Sequence, residues 1–374
     1  MAVREPPPLP APSGPLSPPV LRRMAGIQEV GLLVVIVAVF VVVAVLSRGQ
    51  LLNADILLNY AKDTSFVAIM AIGVMTVIVT GGIDLSIASI YALAGVLGAL
   101  VLWQFGPVGP LAGNPWLGTL LGIAIALAAG ALAGLINGVA VVGLRVHPFI
   151  ITLGTMQIFR GIAFLASRAQ SIGNFPGTYT DGLVRHDLGL GGGLLPVPLL
   201  AMVFMAVLGT VYMGHTVAGR HVYAVGGNLE AARFSGLKTG RILISVYVIA
   251  GLCAGVAAVL ANGVYGSATS NRGMSYELRA IAAAVVGGAS LSGGRGTALG
   301  AVLGALLIQL IEQSMVTLAI DQNYYYPVIG TAVIAAVVLD RLSTRTTARR
   351  TAARERTDAG SKPGTPDSEK GESP

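Results

Sequence analysis

Apolar residues in this chain form long runs instead of alternating with polar ones. A helix needs about 20 mostly apolar residues to cross the hydrocarbon core of a bilayer. Ten segments approach or exceed that requirement, and the eighth is short and polar at its start. They lie at residues 30–46, 65–80, 85–102, 117–142, 149–166, 194–213, 242–262, 277–292, 297–319 and 325–340. The pattern therefore predicts an all-α polytopic membrane protein with about ten transmembrane helices.

The composition supports a membrane protein and excludes several other classes. Hydrophobic residues make up 54% of the chain and charged residues 11%, whereas soluble domains carry about 25% charged residues. The single cysteine, Cys253, excludes a disulfide within the chain. The net charge of +7 lies largely in the ends and short loops. We therefore expect membrane lipid as the surrounding phase and no nucleic-acid partner.

The two ends of the chain differ from the rest in composition. Residues 1–28 are rich in proline and predict a disordered N-terminal arm, and residues 341–374 are polar and predict a disordered cytoplasmic tail. The first apolar run is followed by Ser-Arg-Gly-Gln without a small-residue cleavage site, so it is interpreted as an uncleaved span. Residues 29–340 form the predicted transmembrane domain, which includes a polar loop at 219–241.

The distribution of lysine and arginine predicts the orientation in the membrane. Short cytoplasmic loops are enriched in these residues. With both ends inside, fourteen of them fall on the cytoplasmic side and seven on the outer side, although the C-terminal tail supplies six of the fourteen. We therefore expect both termini to be cytoplasmic.

A sequence motif occurs twice in the chain, and each copy interrupts the apolar pattern with two glycines. The segments that start at Gly81 and Gly287 share eleven of twenty residues, and both would follow a span directed inward. This relation is typical of a parallel internal repeat. Paired helix breaks in corresponding halves indicate a transport pathway.

The residues at these breaks are candidates for the pathway or for capping. Two readings are open: irregular backbone beside a pathway, or two ordinary tight turns. In both, polar side chains of the breaks would cap the following helices. The candidate residues of the breaks and of the spans are Gly81, Gly82, Asp84, Ser86, Asn137, Gly287, Gly288, Ser290, Ser292 and Glu312. Asp84 is expected to cap a helix and not to carry a proton. Glu312 is interpreted as a gate or interface residue, since ionisable residues within spans are often functional.

The polar loop at 219–241 contains a predicted short helix on the cytoplasmic side. Asn228 is a plausible N-cap and Gly236 a plausible end of this helix. So short a segment cannot bury all its apolar side chains, so it is suited to docking in the groove of a partner. In that arrangement Glu230 and Arg233 would lie at the rim, while Ala231 and Ala232 would allow close backbone approach. The alternative is a helix that packs on its own protein.

Four motifs resemble those of a known family. GGNLEAARFSGL resembles the EAA-type coupling segment of ABC-transporter permeases. GGIDLS, HPFIITLGTMQIFRGIA at His147 and YELRAIAAAVVGGASLSGGRGT at Tyr276 resemble the ribose/xylose/autoinducer-2 branch of those permeases. The similarity covers roughly residues 60 to 320 in the same order. Glu312-Gln313 departs from the asparagine that family members often have there, which weakens any inference about the particular sugar.

The resemblance implies a subunit of an ATP-driven importer in the bacterial inner membrane. Its partners would be a second permease subunit, identical or a sibling, a cytoplasmic ATPase and an extracytoplasmic sugar-binding protein. The chain has no G-x-x-x-x-G-K-[ST] phosphate loop, so ATP and Mg²⁺ would bind the ATPase, and no enzyme activity, cofactor or metal is expected in this chain. The alternative is a secondary transporter, against which the small number of intramembrane acids counts.

Overall fold

The computed structural model describes residues 18–185 and 196–324, together with Pro327, Val328, Gly330, Thr331 and Ile334, and the side chains from Glu29 onward. Within these residues the chain is helical. The twelve helices are α1 (Pro18–Leu46), α2 (Ala54–Val79), α3 (Ile87–Gln104), α4 (Pro115–Leu144), α5 (Pro148–Ser167), α6 (Gly177–Tyr179), α7 (Val197–His215), α8 (Val217–Gly227), α9 (Leu229–Phe234), α10 (Thr239–Tyr265), α11 (Tyr276–Val286) and α12 (Ala298–Thr317).

Eight of these helices are long and apolar enough to cross a membrane, which confirms the polytopic class. They are α1 to α5, α7, α10 and α12. The predicted eighth span is shorter than expected, because α11 has only 11 residues. At 1.5 Å per residue it is about 16 Å long, roughly half of the hydrocarbon core. The predicted tenth span, 325–340, lies mostly outside the described residues.

Helix α2 forms the centre of the bundle. Its residues from Thr64 to Val79 are all buried, and it packs against α7, α10, α11 and α12. In the outermost spans, α1, α5 and α7, only 17%, 22% and 17% of the residues of the apolar window are buried inside the protein, as expected of a surface in contact with lipid.

Glycines allow a close crossing between α4 and α10. A Cβ atom at Gly130 would overlap the carbonyl oxygen of Gly251, and one at Gly134 would overlap that of Tyr247. Small residues allow two helix backbones to approach each other within a membrane. The high glycine content thus has a packing role in addition to marking helix breaks.

The ends of the chain require one adjustment to the predicted domain limits. Helix α1 begins at Pro18, so residues 18–28 of the predicted disordered arm are helical. The remainder of the arm and the predicted tail lie outside the described residues. The predicted boundary at residue 29 therefore falls within α1.

The connections between helices lie on two sides of the bundle. Contacts join the 80–86, 145–147, 216–238 and 287–297 connections on one side, which we call the α9 face. The 105–114, 168–179 and 266–275 connections lie on the opposite face, where Asn174 contacts Gly106 and Ile172 pairs with Ala268. This division agrees with the alternation of spans that the sequence predicts.

Candidate functional site

The first Gly-Gly break ends α2 in a tight turn. Gly81 adopts a φ of +80°, a left-handed conformation that glycine takes without a steric penalty. The amide of Gly82 then donates to the carbonyl oxygen of Val77 at 3.1 Å, and Thr80 Oγ1 donates to the same oxygen at 2.7 Å. These bonds satisfy the last carbonyl groups of α2, and the chain leaves the helix in an irregular segment that ends at Ser86.

A buried polar network holds this irregular segment. Asp84 Oδ1 accepts hydrogen bonds from the amide of Ser86 at 2.9 Å and from its hydroxyl at 2.6 Å. Asn137 Nδ2 of α4 donates to Ser86 Oγ at 2.7 Å, and Thr152 Oγ1 of α5 donates to the carbonyl oxygen of Ile83 at 3.1 Å. The structure thus brings Asp84, Ser86 and Asn137 together. Asp84 shapes the turn before α3, for which Ser86 is the N-cap residue.

Three polar atoms near this network have no hydrogen-bond partner among the described residues. They are Asp84 Oδ2, Asn137 Oδ1 and the hydroxyl of Tyr247. Buried polar groups without a partner are costly, and in native proteins they often mark sites that bind water or a ligand. The first break is therefore lined by polar atoms that are available to a water molecule or a polar ligand.

We expect Asp84 to make stability dependent on pH. Asp84 lies between the spans α2 and α3, and burial raises the pKa of its carboxyl from the ordinary value of 3.8 to about 6, while the bonds from Ser86 oppose this rise. The folded protein then binds the proton more tightly than the unfolded chain, so this contribution to stability is complete below pH 3.8 and is lost as pH rises through about 6. Melting temperatures of the wild type and Asp84→Asn should therefore diverge in favour of the wild type on going from pH 7.5 to about 5.

A second variant separates ionisation from hydrogen bonding at this position. Asp84→Ala removes the acceptor of both Ser86 donors and should cost about 1–3 kcal/mol for each donor left unpaired. Asp84→Asn retains an acceptor oxygen and should cost less. Equal melting temperatures for wild type and Asp84→Ala at all pH values would contradict a structural role for this carboxylate.

The backbone conformation of the second break differs from that of the first, although the repeated motif predicts that the two are alike. Gly287 ends α11 with a φ of −69°, and a Cβ atom there would overlap the carbonyl oxygen of Gly300. Gly288 supplies the left-handed residue, with a φ of +99°. Helix α12 begins only at Ala298, so the irregular segment runs over ten residues after Gly287.

The predicted caps of the second break are wrong. Ser290 and Ser292 lie well before α12, whose N-cap is Thr297, with its hydroxyl accepting from the amide of Gly300 at 2.9 Å. Ser290 is buried within the loop and its amide donates to the carbonyl oxygen of Arg295 at 3.0 Å, whereas Ser292 is exposed. Because the segment folds back on itself, the serines shape the loop and do not cap the helix.

The two breaks are in contact on the α9 face. The amide of Gly294 donates to the carbonyl oxygen of Val79 at 2.8 Å, which joins the second break to the end of α2. The predicted pathway residues of both breaks thus belong to one region of the protein, at the end of the central helix.

The short helix of the polar loop has the predicted ends. Asn228 Oδ1 accepts from the amide of Ala231 at 2.9 Å, and Gly236 takes the left-handed conformation with a φ of +80°. Helix α9 itself is shorter than the motif, ending at Phe234. Glu230, Ala231 and Arg233 are exposed, and Arg233 Nε donates to Thr239 Oγ1 at 3.3 Å.

The apolar residues of α9 are distributed differently from the prediction. Ala232 is only 5% exposed, because α9 packs against α8 and α10 through this side. Phe234 is 91% exposed and Leu229 is 39% exposed. Ala232 therefore holds α9 on its own protein, and Phe234 is the apolar side chain free for a partner.

Glu312 lies apart from the breaks, at the opposite end of α12. Its Oε2 accepts from Arg279 of α11 at 2.6 Å and from Gln309 Nε2 at 3.1 Å. The guanidinium of Arg279 also stacks over the ring of Tyr276, 4.8 Å from its centroid. This ion pair joins the first turn of α11 to the last turns of α12, so Glu312 connects the half-length helix to a full span.

Sequence reasoning assigned no individual role to several residues of this region. Thr152, Gly226, Gly294 and Thr297 lie within the motifs that carry the family resemblance, and Tyr247 looks like an ordinary residue of a span. Among the described residues no cluster of three metal-ligating side chains occurs. The described residues combine a bundle of membrane-spanning helices with buried polar atoms beside the first Gly-Gly turn and an exposed short helix, which defines a polytopic membrane protein.

Comparison with known proteins identifies the family to which this chain belongs. A family model described as branched-chain amino acid transport system / permease component matches residues 56–338. The chain belongs to this family of permeases.

Several known permeases are similar to this chain over most of its length. The D-allose transport system permease protein of Escherichia coli K12 is 34% identical over 312 residues, 83% of this chain and 90% of the relative. The ribose import permease protein of Bacillus subtilis 168 is 35% identical over 315 residues, 84% and 93% of the two chains. The autoinducer 2 import system permease protein LsrD of Yersinia enterocolitica is 35% identical over 300 residues, 78% and 86%. No solved structure matches the chain.

Proposed function

We propose that this protein is the transmembrane permease subunit of an ATP-driven importer that moves a monosaccharide or a related small polar solute. The observation that carries the proposal is the similarity over most of both chains to permeases whose names specify allose, ribose and autoinducer 2. The polar lining at the first break supports it, because such a solute needs hydrogen-bonding groups in the bundle. ATP hydrolysis takes place on a separate subunit.

The translocation path passes the two helix breaks. The two breaks lie together on the α9 face, at the end of the central helix α2. Asp84, Asn137 and Tyr247 supply polar atoms beside the first break, and Glu312 with Arg279 forms a charged pair at the other end of α12. A binding protein outside the membrane supplies affinity, so the path itself needs only transient polar contacts.

The ATPase docks on the α9 face. Phe234 is nearly fully exposed on a helix that is fixed to the protein by Ala232, and a single aromatic side chain on a short helix fits a hydrophobic groove. The other partners of the complex are a second permease subunit and an extracytoplasmic sugar-binding protein. ATP and Mg²⁺ bind only to the ATPase.

Reconstitution tests the proposed function directly. Liposomes that contain the permease and the ATPase from the same gene neighbourhood, supplied with the binding protein, should take up D-ribose or D-allose only when ATP is present. An azido-ATP probe should label the ATPase and not the permease. Uptake driven by a proton gradient without ATP would instead identify a secondary transporter.

We expect both termini of the protein to be cytoplasmic in the bacterial inner membrane. The lysine and arginine distribution supports this orientation, since positive residues favour the cytoplasmic side. Reporter fusions made after Arg48 and after Arg220 should report opposite sides of the membrane, because the structure places these residues on opposite ends of the bundle. A cytoplasmic signal from the Arg48 fusion would reverse the proposed orientation.

A further inference from the structure

The end of α8, immediately before α9, is in backbone contact with both helix breaks. A Cβ atom at Gly226 would overlap the carbonyl oxygen of Val79 and lie 2.8 Å from the amide nitrogen of Gly294. A Cβ atom at Gly293 would lie 2.6 Å from the carbonyl oxygen of Gly226 and 3.2 Å from the amide nitrogen of Gly81. Three separate parts of the chain meet here with no side chain between them.

Two hydrogen bonds fix this contact. The amide of Gly294 donates to the carbonyl oxygen of Val79 at 2.8 Å. The hydroxyl of Tyr223, one turn earlier on α8, donates to the carbonyl oxygen of Gly296 at 2.6 Å. Helix α8 is thus bonded to the second break, and the second break is bonded to the end of α2. We call the contact formed by Val79–Gly81, Gly226–Gly227 and Gly293–Gly296 the glycine junction.

The backbone conformation at the glycine junction favours glycine. Gly293 and Gly294 have φ values of +84° and +75°, which other residues rarely adopt. The contacts also differ from the glycine crossing of α4 and α10, because they join three chain segments at their ends instead of two helix faces. A close-packed contact without flexible side chains transmits a displacement instead of absorbing it.

We propose that the glycine junction transmits movement of α9 to both helix breaks, with Gly226 and Tyr223 as its positioning residues. Only Asn228 separates Gly227 from the first residue of α9, so a displacement of α9 by a docked ATPase moves the end of α8 directly. This displacement then shifts the ends of α2 and α11, which precede the breaks. The inference rests on the proposed function, in which the ATPase binds α9.

A labelling experiment on the complex tests this transmission. Ser292 is exposed on the second break, and a Ser292→Cys probe reports its environment through its rate of reaction with a maleimide. Native Cys253 is buried, with 1% exposure, and does not compete. The rate is measured for the permease–ATPase complex in nanodiscs, without nucleotide and after trapping with ATP and vanadate.

Two neighbouring glycines provide the matched comparison. Gly226→Ala places a methyl group on the backbone of Val79, whereas a methyl group at Gly227 meets no atom within 4 Å. Nucleotide trapping should change the labelling rate in the probe protein and in its Gly227→Ala form, and this change should be lost in the Gly226→Ala form. Tyr223→Phe removes only the hydrogen bond to Gly296 and should reduce the change without adding an atom, which keeps the test valid if Gly226→Ala does not fold.

The possible outcomes separate this inference from the proposed function. If nucleotide trapping still changes the labelling rate fully in both Gly226→Ala and Tyr223→Phe, the proposal that the glycine junction transmits the movement is wrong. The absence of any change in the parent probe protein would also overturn it, because the signal from α9 would then not reach the breaks. ATP-dependent uptake by the reconstituted wild type decides the proposed function independently of either result.

Discussion

Phe234→Asp should abolish uptake and prevent the ATPase from purifying with the permease, while the permease itself inserts and folds normally. Phe234 is 91% exposed, so its replacement removes almost no contact within the permease. Burial of such a side chain in a partner's groove contributes about 1.5–3 kcal/mol, and an unpaired carboxylate in the same groove adds a desolvation cost. The two effects together are large enough to eliminate a stable complex.

The adjacent serine supplies the control for charge. Ser235 is also exposed and lies next to Phe234, so Ser235→Asp introduces the same charge without removing the aromatic ring. Co-purification and uptake should remain close to wild type in this variant. Wild-type behaviour of Phe234→Asp in both assays would show that the exposed side of α9 does not bind the ATPase. A bulky substitution at Ala232 is a poorer test, since this residue is buried within the permease.

Removal of Glu312 should destabilise the protein more than removal of both members of its ion pair. Arg279 and Glu312 lie 2.6 Å apart with side chains 14% and 29% exposed. Removing one partner of a fully buried pair costs about 3–5 kcal/mol, and a smaller loss is expected here because the pair is only part-buried and the Asp63 carboxylate also attracts Arg279. Replacing both charges by apolar residues of similar size is often nearly neutral. The variants Glu312→Met, Arg279→Met and the double variant therefore form a thermodynamic cycle.

The melting temperatures of these variants in detergent distinguish a pair from two independent residues. We expect a fall for Glu312→Met and a substantial recovery when Arg279→Met is added. Gln313, which follows Glu312 on α12 and whose Nε2 donates to Thr317 Oγ1 at 3.3 Å, is the control position. Additive losses in the double variant would contradict coupling between α11 and α12 through this pair.

The local sequence determined the features that depend on neighbouring residues. Eight apolar segments have the length of a membrane span because each one must satisfy its backbone hydrogen bonds internally in lipid. The ends of α9 follow from Asn228, whose side chain caps the first turn, and from Gly236, whose missing Cβ permits the left-handed turn. The turn at Gly81 and the bond from Ser86 to Asp84 are equally local.

The tertiary structure decided the features that depend on contacts between distant segments. Residues 277–292 are apolar enough to predict a span, yet α11 ends at Val286, where Gly287 packs on Gly300 of α12. Arg279 and Glu312 are 33 residues apart and become partners only when α11 lies along α12. Similarly, Gly226 and Gly293 belong to separate motifs of the sequence, and only the folded chain brings Gly226 against Val79 and Gly293 against Gly226 and Gly81. Burial and close backbone approach are properties of the assembled bundle, because several helices must be in place before an atom has anything to contact.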